Sequence, residues 1–175
     1  MSKVFFISDL HFGHKKITSF EEGRWRTGAS WRENMNHLIE RWNSVVKDKR
    51  DLVWVLGDTA FSPEGFAALG ELNGRKKLVR GNHDNYFTTE EWLEHFETVE
   101  SLVRYKKYWL SHAPIHPDEL RGKGNIHGHV HHNSVRDGEG EWDERYINVS
   151  CEAVNETPIS FQDIVSGVYW KQKRI

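Results

Sequence analysis

The chain has 175 residues with 24 Lys+Arg against 26 Asp+Glu, a formal net charge of −2, which suits one domain with a real core and excludes a protein built to blanket nucleic acid or an acidic membrane with positive charge. Eight Trp, nine Phe and five Tyr supply bulky core material and exclude wholesale disorder. The single cysteine, Cys151, excludes an intramolecular disulfide and a thiolate zinc cluster, and with no apolar run near the roughly 20 residues of a membrane span the expectation is a cytoplasmic protein with no membrane partner.

In chain order, Lys3 to Ser8 reads as a strand buried on both faces. From Trp31 to Lys47 apolar residues recur at spacings of three and four, which predicts an amphipathic helix. Asp51 to Leu56 is a second apolar strand ending at Gly57-Asp58, and Pro63 starts a helix over Glu64 to Leu72. A third strand, Lys77 to Arg80, enters Gly81-Asn82-His83-Asp84, and Thr88 or Thr89 caps a helix through His95. Beyond it strands dominate: Val99 to Tyr105 pairs with Lys107 to Leu110 as a hairpin, and Asn125 to His127 and Arg145 to Val149 follow. Ser160 to Val165 suggests a helical turn or two and Gly167 to Gln172 a last strand. The pattern is α/β, parallel units first and hairpins later, with no repeat or linker to divide residues 1–175.

Eight of the 11 histidines lie between His83 and His132, and five short segments that follow predicted strands carry metal-capable side chains: Asp9-x-His11, Gly57-Asp58, Gly81-Asn82-His83-Asp84, Ser111-His112 and Gly128-His129-x-His131. Side chains just past several parallel strands converge on one crevice. Residues i and i+2 of an extended segment point the same way, so each of the two x-spaced pairs is expected to offer two ligands to one place. Mixed oxygen and imidazole donors suit Mn, Fe, Zn, Co or Ni. Gly57, Gly81 and Gly128 are expected to turn the chain sharply and admit an ion or a phosphate. His14, His37, His95 and His116 stand alone and read as surface or structural histidines, whereas His127 and His132 flank the cluster.

In this order the five segments resemble the calcineurin-like metallophosphoesterases, with Ser111 standing where many relatives have glycine. The resemblance implies a sandwich of two mainly mixed β-sheets flanked by helices, and a site holding two divalent ions such as manganese. It puts Asp9, His11 and His131 on one ion, Asn82, His112 and His129 on the other, and Asp58 between them. A hydroxide held between the ions would attack phosphorus, His83 would serve the leaving group, and Asp84 would orient the His83 imidazole. The implied partner is a phosphate ester, more in keeping with a diester of small or nucleotide-like form than with a monoester. A nuclease of the same superfamily and a catalytically silent scaffold are the alternatives, and the near-neutral charge makes no strong case for stable nucleic-acid binding. One segment near the first motif mixes Arg with Trp. In it Arg24, Arg26, Trp25 and Trp31 could clamp a phosphate and stack a base, or the tryptophans could pin the loop to the core. The basic stretches Arg75 to Lys77 and Arg104 to Lys107 read as solvated strand edges.

Overall fold

The computed structural model describes residues 2–19 and 26–169. Among these, two mixed sheets face each other. The first has the order β4-β3-β2-β1-β9 and the second β5-β6-β7-β8, where β1 is Val4–Ile7, β2 Leu52–Val55, β3 Arg75–Val79, β4 Val99–Glu100, β5 Val103–Tyr105, β6 Tyr108–Leu110, β7 Gly124–His127, β8 Tyr146–Asn148 and β9 Ile159–Ser160. Strands β1 to β4 run parallel, β9 is antiparallel to β1, and β6, β7 and β8 run parallel beside the β5–β6 hairpin. This is the sandwich expected of the resemblance.

Alternation along the strands builds two cores. Phe5, Ile7, Val53, Val55 and Leu78 point to the helical side, against Met35, Leu38, Ile39 and Trp42 of α1 (Trp31–Val45). Phe6, Trp54, Leu56 and Val79 point the other way and meet Leu110, Ile126 and Ile147 of the second sheet. The period of two thus loads both faces of the first sheet, which is why its strands read as continuous apolar runs.

Capping chemistry sets the helix starts. Ser30 accepts from the Glu33 N–H at the head of α1, Ser62 caps α2 (Pro63–Ala68) with Pro63 in its first turn, and Thr88 with Glu91 forms a reciprocal capping box on α3 (Thr89–Trp92). Another helix, α4 (Phe161–Val165), begins at Ser160 and sends Ile164 into the core between the sheets.

Three expected elements differ, the first being the helix expected through His95, which ends at Trp92. Val99 to Tyr105 is not one strand: β4 pairs with β3 in the first sheet, and after Ser101 and Leu102 the chain crosses to start β5 in the second. Of the last expected strand, residues 167–169 are turn and helix, and the remainder lies outside the described residues. Arg75 to Lys77 lies in β3, whose pairing with β4 is confined to Leu78 and Val79. Arg75 there makes a two-point ion pair with Glu97 and Lys77 lies over the Trp54 ring at 5.3 Å.

Phe6 is fully buried between the sheets, edge-on to Tyr105 with 5.8 Å between ring centroids. Truncating it removes contacts from both sheets at once, so Phe6→Ala should cost about 3–5 kcal/mol of stability. Leu102→Ala, at a side chain 50% exposed, should stay within about 0.5 kcal/mol. Urea midpoints at unchanged slope measure both, and equal losses would mean that Phe6 does not hold the sandwich together.

Candidate metal centre

All five motif segments follow the carboxyl ends of β1, β2, β3, β6 and β7, and the chain joins the two sheets at that end. Ser8 pairs with Ser150 in an isolated parallel bridge, the Ser8 N–H donating to the Val149 carbonyl at 2.8 Å and the Cys151 N–H to the Ser8 carbonyl at 3.0 Å. The Gly128 N–H donates to the His112 carbonyl at 2.8 Å. The crevice therefore has a hydrogen-bonded floor that belongs to both sheets.

The ligand-type pairs converge, but not as extended segments. Asp9, His11, Asp58, His129 and His131 all have positive φ, from 51° to 72°, a left-handed conformation that costs side-chain-bearing residues energy and is found where surrounding structure imposes it. The tight backbone is held by donation from Asp9 N–H to the Gly57 carbonyl and from His11 N–H to the Asp58 carbonyl, both at 3.0 Å. Close approach also explains two glycines, though what they admit is protein and not an ion. A Cβ on Gly128 would collide with the Ser8 hydroxyl and the Asp9 carboxylate, and one on Gly81 with the Asp58 carboxylate and backbone.

The donor atoms gather in two groups. Asp9, His11 and His131 each bring a ligand-type atom within 4.8 Å of the others, and so do Asp9, Asp58 and His112. Asp58 lies between: its Oδ2 is 3.7 Å from His11 Nε2 and its Oδ1 3.4 Å from His112 Nε2. Asn82 Oδ1 is 2.9 Å from His112 Nε2, and His129 Nδ1 is 3.2 Å from the same nitrogen. Asp9, His11, Asp58 and His112 are buried, His131 is half-buried, and Asn82 and His129 are exposed at the mouth.

Whether these residues fit a cation is decided by what they leave unmatched. Asp9 Oδ1 and both ring nitrogens of His11 are buried with no hydrogen-bond partner among the described residues, a costly arrangement for a carboxylate and an imidazole 3.8 Å apart. A cation between them satisfies both. Burial opposes charge on every group here, yet contact with His11 and the nearby His112 hold the Asp9 carboxyl well below the usual carboxylate range. Burial pushes the His11 imidazole down. His112 resists the same effect: hydrogen bonding to Asp58 and the Asp9 charge raise it to about 9.

The outer contacts set the ring orientations. His112 Nδ1 donates to the Leu56 carbonyl at 2.7 Å, leaving Nε2 to face Asp58. His131 Nδ1 faces Glu152 Oε1 at 3.0 Å, an arrangement in which a carboxylate fixes the tautomer and raises the basicity of a ligating imidazole. Burial alone would raise the Glu152 carboxyl, but the Arg26 charge and His131 take it to about 2. Arg26 Nε donates to Glu152 at 2.6 Å while its other nitrogens reach the Asp9 and Leu10 carbonyls.

Several expected roles change accordingly. Arg26 is buried under the cluster and engaged, so it braces the site and is not open to a substrate phosphate. Arg24 and Trp25 lie outside the described residues. Trp31 packs against the helical-side core with the Arg32 guanidinium 4.2 Å over its ring. Asp84 does not orient the His83 imidazole: its carboxylate accepts from the N–H groups of Asp58 (2.9 Å), Gly81 (2.7 Å) and Thr59 (2.8 Å), clamping the second motif to the third. His83 is exposed, its ring 5.4 Å from Phe61 and its N–H donating to Asp58 Oδ1 at 3.0 Å.

The isolated histidines sit in structural contacts. His37 Nε2 is 3.3 Å from Glu156, His95 meets Phe66 edge-on at 4.6 Å, and His116 Nδ1 accepts from the Asp118 N–H. His14, expected to stand alone, borders the cluster: its ring meets Phe61 at 4.9 Å and His11 edge-on at 5.7 Å. His127 is buried, donates from Nδ1 to the Gly128 carbonyl at 2.8 Å, and is pushed by burial down to about 4. Glu152 was beyond sequence reasoning; the available signal is its position just past β8, where the sheets join.

Known proteins resemble this chain in sequence and in fold. A family model described as calcineurin-like phosphoesterase matches residues 2–150. An uncharacterized protein of Methanocaldococcus jannaschii is 35% identical over 171 residues, covering 94% of this chain and 90% of that protein. Among solved structures, a protein of unknown function from Aquifex aeolicus is similar with a TM-score of 0.72 at 24% identity, over 95% of this chain and 99% of that one. The nuclease MPE of Pseudomonas putida is similar with a TM-score of 0.52 at 19% identity, over 73% of this chain and 61% of that one.

If Glu152 sets the donor strength of His131, Glu152→Gln should weaken metal affinity about 10- to 100-fold while the fold persists. Competition with a chromophoric chelator gives the affinity and circular dichroism the fold. An unchanged affinity would leave Glu152 as a partner of Arg26 alone.

Proposed function

The chain belongs to the calcineurin-like phosphoesterase family, which acts on phosphate esters with metal ions, and from that premise we propose that it is a two-metal phosphodiesterase for a small or nucleotide-like ester. The observation that carries the reading is Asp58, whose two carboxylate oxygens face different imidazoles, His11 at 3.7 Å and His112 at 3.4 Å. A carboxylate so placed can serve two cations. In this reading Asp9, His11 and His131 hold one, Asn82, His112 and His129 the other, and Asp58 both. The ions, when bound, would supply Lewis acidity toward phosphoryl oxygen and make water acidic enough to act near neutral pH.

The chain's own residues do the rest. Asp84 fixes the two loops that carry Asp58 and Asn82 by holding three of their N–H groups. Its carboxylate is spent on backbone, so it acts as a positioning residue. His83 stands exposed at the mouth with its backbone tied to Asp58, and its ring donates a hydrogen bond, and then a proton, to the ester oxygen that leaves. A diester suits this mouth better than a dianionic monoester. The guanidinium of Arg26 lies beneath the cluster, engaged with Glu152, and does not add a positive charge at the open side. The fold neighbour that is a nuclease supports the diester class and keeps the nuclease reading as the alternative.

Metal-stripped and reloaded protein assayed on a bis-aryl phosphodiester and the matching aryl monoester tests the proposal: faster diester turnover is expected, and no turnover of either with any of the divalent transition ions would overturn it. Asp58→Asn should bind markedly less metal after dialysis and lose activity, because the amide offers no charge against two divalent ions; equal metal content would remove Asp58 from its bridging role. His83→Ala should retain metal yet turn over about 100- to 10,000-fold more slowly. That loss should shrink for esters with very acidic leaving groups, which depart without a proton. A uniform loss across leaving groups would make His83 a transition-state binder and not an acid.

A further inference from the structure

Tyr86 is 60% exposed, and single exposed aromatics are ordinary on protein surfaces. This one is joined to the metal cluster through a continuous set of rings. Phe61 stacks on His11 with 4.7 Å between centroids and 18° between planes, meets His83 at 5.4 Å, and meets Tyr86 at 5.4 Å. Two ring-to-ring steps therefore lead from His11, one of the proposed metal ligands, to the open phenol ring.

The backbone that presents Tyr86 is anchored on both sides. The Asp84 carbonyl accepts from Trp92 Nε1 at 3.2 Å and from Arg80 Nη2 at 2.6 Å. On the other side Phe87 is stacked on Phe66 at 4.3 Å and edge-on to Trp92 at 5.3 Å. Asp84 before it and Phe87 after it are both engaged inward, and Tyr86 between them, next to the exposed Asn85, faces solvent. Its exposure is a consequence of that anchoring, and a rigid aromatic face beside a phosphate site loses little entropy when a base settles on it.

We infer that Tyr86, backed by Phe61, is the stacking ledge for a nucleobase, and that the substrate class is a nucleotidyl phosphodiester whose base adjoins the scissile phosphate. This rests on the phosphodiester reading and narrows it. Stacking on an aromatic side chain tolerates any base, so the ledge selects nucleotide esters over simple alkyl diesters without selecting sequence.

The test uses metal-loaded protein and two probes that cannot turn over: a thymidine dinucleotide whose leaving ester oxygen is replaced by methylene, and its abasic counterpart with the same linkage. Calorimetry should show the base-bearing probe binding about 5- to 150-fold more tightly than the abasic one. In Tyr86→Ala that ratio should collapse toward one, while Tyr86→Trp should keep it. A ratio near one in the parent protein, or an undiminished ratio in Tyr86→Ala, overturns the inference. The reading it rests on fails separately: base-dependent binding by a protein that hydrolyses no diester leaves the ledge and removes the activity, whereas diester hydrolysis with no base preference does the reverse.

Discussion

Asp9 and Asp58 are buried carboxylates that approach the same imidazole, His11, at 3.8 and 3.7 Å. Two like charges withdrawn from water are tolerable only if positive charge or hydrogen-bond donors answer them. The protein supplies part of the answer from backbone, the His129 N–H to Asp9 Oδ2 and the His83 N–H to Asp58 Oδ1, each at 3.0 Å. The remaining demand falls on imidazoles and on Asp9 Oδ1, which meets no donor among the described residues. Much of the local architecture answers this demand. The left-handed turns aim side chains into a small space, the glycines clear room for the carboxylates, and Asp84 ties down the loop that bears Asp58.

A second layer keeps that arrangement in place. Arg26 and Glu152 pair out of solvent, with Glu152 reaching His131 and Arg26 reaching the carbonyls of Asp9 and Leu10. Next to them Glu156 accepts from the Thr27 N–H and the Asn34 side chain. The segment after residue 150 is therefore bonded to the segment leading into α1, and both press on the first motif. A loop that looks from its composition like a substrate clamp is, in its described part, a support.

Periodicity and turn chemistry made most elements legible from sequence. The spacing of Met35, Leu38, Ile39 and Trp42 marked α1, and the Ser and Thr caps marked where helices begin. Motif spacing brought Asp9, His11, Asp58, His112 and His131 to strand ends, where the fold gathers them. Three things were not legible. The break in Val99 to Tyr105 depends on a change of sheet, which a continuous apolar run does not announce. The left-handed backbone at Asp9 or His129 is held by acceptors distant in sequence, the Gly57 carbonyl and the Asp9 carboxylate, and not by local preference, since neither Asp nor His is compelled to adopt it. Long-range partners such as Glu152 for His131, or three backbone donors for Asp84, exist only once strands far apart in sequence are adjacent.

The seam between the sheets has a mechanical meaning. Asp9, His11 and Asp58 hang from the first sheet, and His112, His129 and His131 from the second. Each donor group, Asp9 with His11 and His131 or Asp9 with Asp58 and His112, takes members from both. An ion seated in either group is consequently a rivet through the sandwich, and its binding free energy doubles as adhesion between layers. Parting the sheets would pull apart both donor groups, so a bound ion would strengthen the joint between the layers and its removal would weaken it.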